Sequence, residues 1–304
     1  MENATKRQPN ILLIMTDQMR GDCMGTAGHP DVKTPNLDHL AACGVRYTNA
    51  YTACPSCIPA RCALHTGLKQ EHHGRVGYQD RVPWQYPVTM AGALAKAGYY
   101  TQCVGKMHVH PLRNLMGFHN VELHDGYLHA YRNGNVPYVE NQRIADDYFY
   151  WLKTQLGIDR DVTDMGLECN SFTARPWMYK ERLHPTNWVT DRSIDFLRRR
   201  DRSMPFFLMA SYLRPHPPFD APEYFFSMYR DMELTPPPIG DWADADRLRR
   251  LGRFTDADTG SCDPELMRQA RIGYYACISH LDNQIGRLLD ALRDDGCRQD
   301  TVVI

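Results

Sequence analysis

No apolar run in this 304-residue sequence is long enough to cross a membrane. Ile11 to Met15 is typical; it is too short even for the core of a signal peptide, and a spanning helix needs about 20 apolar residues. Nor is one sign of charge in excess. Lysine and arginine total 35 against 36 acidic residues, a formal net charge of -1, which excludes overall affinity for nucleic acid or an anionic membrane. Any anion-binding site must therefore be local. Internal repeats and low-complexity tracts are missing. The ten cysteines show no framework spacing, so they read as reduced thiols and, with the polar residues 1–10, are expected of a cytoplasmic chain. What is present is an ordinary globular composition, 43% hydrophobic and 23% charged, in a chain able to bury roughly three quarters of its unfolded surface.

Apolar runs alternate with helical patterns, as in an α/β fold. Ile11 to Met15 reads as a strand buried on both faces, Tyr99 to Val104 as the next and Pro205 to Tyr212 as a third; Val45 to Thr52 is strand-like, and Thr301 to Ile304 begins another. Helices are expected from Thr34-Pro35 to Gly44, over Val88 to Lys96, around Ile144 to Leu156, from Thr190 to Arg200, and from Asp263-Pro264-Glu265 to Gly296. In an open parallel sheet, ligands bind beyond the carboxyl ends of the strands. Three polar clusters fall there: Asp17-Gln18, then Lys106-Met107-His108, then His216 between prolines. Taken singly, each has a plain structural reading as a turn, surface or loop residue. Asp282 and Asn283 read as a solvated helix edge. His72, His73, His110, His124 and His129 receive no role.

The chain is organised around Cys57-Ile-Pro-Ala-Arg-Cys-Ala-Leu-His-Thr-Gly67. Pro59 suits the first turn of a helix, which puts Cys57 just before it, and Gly67 suits its end. Free N–H groups and the helix dipole favour an anion there and lower the pKa of a thiol. Arg61 adds a planar fork suited to sulfate or phosphate oxygens. Two other readings use the same residues. Cys54 and Cys57 form a Cys-x-x-Cys that suits a redox pair, and Cys54, Cys57, Cys62 and His65 form a metal set of no familiar zinc spacing.

Cys57-x-Pro59-x-Arg61 with Thr66-Gly67 resembles the signature of the type I, formylglycine-dependent sulfatases of the alkaline-phosphatase-like superfamily. Gly105-Lys106-Met107-His108 is similar to the family's Gly-Lys-Trp-His, with Met107 in place of the aromatic, and Pro215-His216-Pro-Pro-Phe219 is similar to its Pro-His-x-Pro-Phe segment. The resemblance implies a central, mostly parallel sheet with helices on both faces, and residues 1–304 as the N-terminal part of a single catalytic domain, with further metal ligands beyond Ile304. It implies that Cys57 is oxidised by a sulfatase-maturating enzyme to formylglycine, the nucleophile. Asp17, Gln18 and residue 57 would hold a divalent metal, most readily calcium, with magnesium or manganese as alternatives. Gln18 departs from the Asp-Asp pair of well-known members. Arg61, Lys106 and His108 would stabilise charge, and His216 would protonate the leaving oxygen. The implied reaction is hydrolysis of a small-molecule or carbohydrate sulfate ester. A phosphonate or phosphodiester hydrolase using the same nucleophile is the nearest alternative.

Overall fold

The computed structural model describes residues 8–126, 138–157, 160–244, 246 and 263–304. His129 and most of the proline-rich and charged stretch from 236 to 259 that the sequence left unassigned lie outside the described residues. Five strands form the sheet: β1 (Asn10–Asp17), β2 (Tyr100–Gly105), β3 (Asn120–Leu123), β4 (Phe206–Pro215) and β5 (Thr301–Val303). Their order is β3-β2-β4-β1-β5 and every pairing is parallel. The helices are α1 (Pro35–Ala42), α2 (Cys57–Thr66), α3 (Gln70–His73), α4 (Met90–Lys96), α5 (Tyr138–Ala145), α6 (Asp147–Leu156), α7 (Pro185–Arg199), α8 (Glu223–Arg230) and α9 (Pro264–Asp294).

All ten residues of β4 are buried, as the middle strand of a sheet covered on both faces requires. Side chains alternate across it. Phe206, Leu208, Ala210 and Tyr212 join the core under α6, α7 and α9, while Phe207 and Met209 join Ile58 and Cys62 of α2 and Ala91 of α4 on the opposite face. Helices thus cover both faces, as expected. A third core cluster packs Phe225, Phe226 and Tyr229 of α8 against Ile272, Tyr275 and Ile278 of α9. Helix α9 begins as anticipated, with the Asp263 side chain accepting from the Glu265 and Leu266 N–H groups.

Several expectations give way. Residues 45–52 form no strand and are exposed throughout; β-branched and aromatic residues need a partner strand, and both sides of β1 are already taken by β4 and β5. Helix α2 starts at Cys57 itself, with Ser56 as its N-cap and Pro59 as its third residue. Helix α7 starts at Pro185 rather than Thr190, capped by His184 Nδ1. Thr34 does not cap α1 with its side chain. That task falls to Asp282, which is buried and accepts from the Asn36 and Leu37 N–H groups, so it is neither solvated nor a metal ligand. The short β3 and the aromatic α8 are unanticipated.

Candidate active site

Strand β1 delivers Asp17 at its carboxyl end, where a register shift between Thr16 and Asp17 sets Asp17 opposite Pro215. Strand β2 delivers Lys106 through Gly105, whose φ is 101°. A Cβ at Gly105 would lie 1.9 Å from the Ser211 carbonyl oxygen, so only glycine permits the Lys106 N–H to bond that oxygen at 2.9 Å. Strand β4 delivers His216, whose N–H donates to the Asp17 carbonyl at 3.0 Å. The first residue of α2 adds Cys57 at the same rim.

Asp17 is the centre of the cluster. Its Oδ2 lies 2.9 Å from Arg61 Nη2 and 3.1 Å from Lys106 Nζ, while its Oδ1 lies 3.5 Å from Cys57 Sγ. Burial alone would raise the Asp17 carboxyl, but Lys106 and Arg61 hold it well below the usual carboxylate range. Lys106 Nζ stands 3.8 Å from Cys57 Sγ. Asp17, Cys57 and His216 each offer a ligand atom within 4.8 Å of the others. His216 Nδ1 faces the Pro217 carbonyl at 2.8 Å, so Nδ1 carries the hydrogen and Nε2 the lone pair of the neutral ring. Burial, aided by Lys106, lowers its pKa to about 4.

Two of the site residues depart from expectation. The Cys57 thiol is pushed up, not down: burial dominates and Asp17 adds to it, outweighing the pull of Lys106 and Arg61. Arg61 is fully buried, and its two terminal nitrogens are directed at the protein, to Asp17, the Lys106 carbonyl at 2.5 Å and Ser211 Oγ at 3.1 Å. It braces the cluster rather than presenting its fork to a substrate. Gln18 follows Asp17 on the rim, exposed, with φ 60°. His108 is buried, its N–H bonded to Asp125 Oδ1 at 3.0 Å and its ring edge-on to Tyr78 at 5.8 Å.

The competing readings of the motif lose support. Cys54 and Cys57 are both free, Cys54 Sγ points to the Val76 carbonyl, and the raised Cys57 pKa is opposite to that of a reactive redox thiol. Cys62 and His65 are buried in the core, where His65 packs edge-on to Trp84 and Phe118. Residues that the sequence did not single out complete the site. Asp125 fixes the Met107 and His108 backbone, Ser211 receives Arg61, and Arg214 is gripped by Asp220 while donating to the His216 carbonyl at 3.2 Å. Arg214 was visible beside His216; Asp125 and Ser211 carry no local signal.

A sulfatase family model matches residues 9–304. An arylsulfatase of Clostridium perfringens is 50% identical over 297 residues, covering 98% of this chain and 62% of that protein. A choline-sulfatase of Rhizobium meliloti is 29% identical, covering 99% and 57%. Among solved structures, a phosphonate monoester hydrolase of Agrobacterium radiobacter aligns with a TM-score of 0.76 at 26% identity, over 98% of this chain and 62% of that one. The chain therefore spans about three fifths of the length of these relatives. With its parallel sheet and the family model running from residue 9 to residue 304, the chain belongs to the sulfatase family.

Proposed function

We propose that this chain forms part of a single catalytic domain that hydrolyses a sulfate ester with formylglycine, made from Cys57, as nucleophile. The observation that carries the reading is the convergence of Asp17, Cys57, Lys106 and His216, from four separate elements, on one point of the rim. The 50% identity to an arylsulfatase, against 26% to the phosphonate hydrolase, favours sulfate. Aryl and carbohydrate sulfates are the substrate classes we put forward. The buried Pro59 and Arg61 support maturation of Cys57 before the chain folds, by an enzyme that reads those residues. The nine cysteines among the described residues are all free, which supports a reducing, cytoplasmic setting.

Asp17 divides its carboxylate, one oxygen toward the cations and the other toward residue 57. A hard oxygen so placed, within reach of residue 57, fits a divalent ion. Asp17, the Gln18 amide oxygen and an oxygen at residue 57 would hold it; we take calcium as the ion, with magnesium and manganese as alternatives. Positive charge against the sulfate oxygens is what such an ion supplies when bound.

The remaining work is done by side chains of this chain. Lys106 sets a fixed positive charge beside residue 57, where the sulfate oxygens sit during attack. Arg61 acts through Asp17 and the Lys106 carbonyl, and is a positioning residue. His216 exposes Nε2 to the leaving oxygen. An anionic ester beside it raises its affinity for a proton, which it then gives to the departing alkoxide. His108, its N–H held by Asp125 and its ring edge-on to Tyr78, is the group we assign to hydrogen-bond the converted residue 57. Comparison of kcat/KM for an aryl sulfate and an aryl phosphonate monoester tests the assignment. Sulfate is expected to be preferred by about 100-fold, equivalent to ~2.7 kcal/mol of transition-state discrimination; a preference for phosphonate would overturn it.

A further inference from the structure

Gln18 has φ 60°, a conformation uncommon for residues other than glycine, so the turn after Asp17 needs support from outside itself. Support comes from α9, 256 residues away. The Tyr274 hydroxyl donates to the Gln18 carbonyl at 2.8 Å and accepts from the Arg20 N–H at 2.9 Å, spanning the turn. The same ring packs edge-on to Phe219 at 5.6 Å, in the loop that carries His216. Gly273 makes this approach feasible, because a Cβ there would come within 2.4 Å of Ala174 Cβ and 2.8 Å of Phe219 Cβ. From the opposite side, the His216 N–H holds the Asp17 carbonyl. One tyrosine thus ties together the two rim segments that carry Asp17, Gln18 and His216.

We propose that Tyr274 is a positioning residue for the divalent cation: its hydroxyl locks the Asp17-Gln18 turn in its ligand-bearing form. The proposal rests on the reading of Asp17 and Gln18 as ligands. Groups that orient metal ligands are typically worth 10- to 100-fold in affinity, and a hydroxyl acting on the backbone belongs at the lower end, about 10-fold.

Tyr274→Phe keeps the ring on Phe219 and removes only the hydroxyl. Metal-stripped wild-type protein, Tyr274→Phe and Asp17→Asn are titrated with calcium, and in parallel with manganese, by calorimetry. The expected result is tight binding by wild type, about 10-fold weaker binding by Tyr274→Phe, and none by Asp17→Asn. The calcium concentration needed for half-maximal aryl sulfate turnover should rise by the same factor, with kcat at saturating calcium retained. Wild-type affinity in Tyr274→Phe, with binding lost in Asp17→Asn, would overturn the proposal and leave the ligand reading intact. A lower metal-free Tm with unchanged calcium affinity would make Tyr274 merely structural. Equal behaviour of wild type and Asp17→Asn would remove the ligand reading, and the proposal with it.

Discussion

The two ends of the sheet carry similar groups and opposite fields. At the carboxyl end, Asp17 stands between Arg61 and Lys106, beside Cys57. At the amino end, Asp295 stands between Arg200 and Arg202, two residues before the buried Cys297. An acid, two cations and a thiol are thus found twice. The difference lies in the helices. Arg200 and Asp295 follow the last residues of α7 and α9, where the dipole is negative and cations are answered locally, whereas Cys57 opens α2, where the dipole is positive. The first trio is also almost wholly buried, while Arg202 is 61% exposed. A charged triad is therefore no guide to chemistry until the direction of the surrounding helices is known.

The contrast can be broken most severely at the thiols. Cys57→Ala should lower sulfate-ester turnover on the order of 10⁵-fold, as loss of a nucleophile does, and Cys297→Ala should leave it within about twofold. Assays of both variants after co-expression with a maturating enzyme check this. Next come the ion pairs. Asp17→Ala strands two buried cations and should cost about 3–5 kcal/mol of stability in chemical denaturation. Arg202→Ala, at the exposed end, should cost less than about 1 kcal/mol.

Between the two ends lies a pH effect. His65, on the same helix as Cys57, is fully buried with neither ring nitrogen hydrogen-bonded, and burial lowers its pKa to about 3. The unfolded chain takes up that proton near pH 6.5, so it binds more protons than the native state between pH 6.5 and 3. Stability should accordingly be unaffected by this group above pH 6.5 and fall below it by about 1.4 kcal/mol per pH unit. Denaturation at pH 7 and pH 5.5 of wild type and His65→Leu, with a shallower loss in the variant, measures it.

What could be read in the sequence was whatever sits at the end of an apolar run. Asp17, Lys106 and His216 each follow a run of β-branched or aromatic residues, and the parallel sheet turns that sequence position into a place on the rim. Cys57 was legible through its proline and arginine. Side chains that work across long separations were not. Ser211 looks like one more residue of β4, and Asp125, Asp220, Tyr274 and Asp282 act on backbone or side chains that only the fold brings near. The direction of the Cys57 shift was misjudged for the same reason: burial and Asp17 belong to the tertiary structure, whereas the helix start and Arg61 are local. The Val45 to Thr52 segment had the composition of a strand but no neighbour to pair with.

The central claim is that the groups gathered at this rim act on a sulfate ester through a converted residue 57. It is tested most directly by measuring, in the same preparations co-expressed with a maturating enzyme, the mass of the peptide containing residue 57 and the rate of aryl sulfate hydrolysis. The account predicts that loss of sulfur, gain of an aldehyde and turnover appear together, in proportion. Turnover in protein whose residue 57 remains a thiol, or full conversion without turnover, would contradict it.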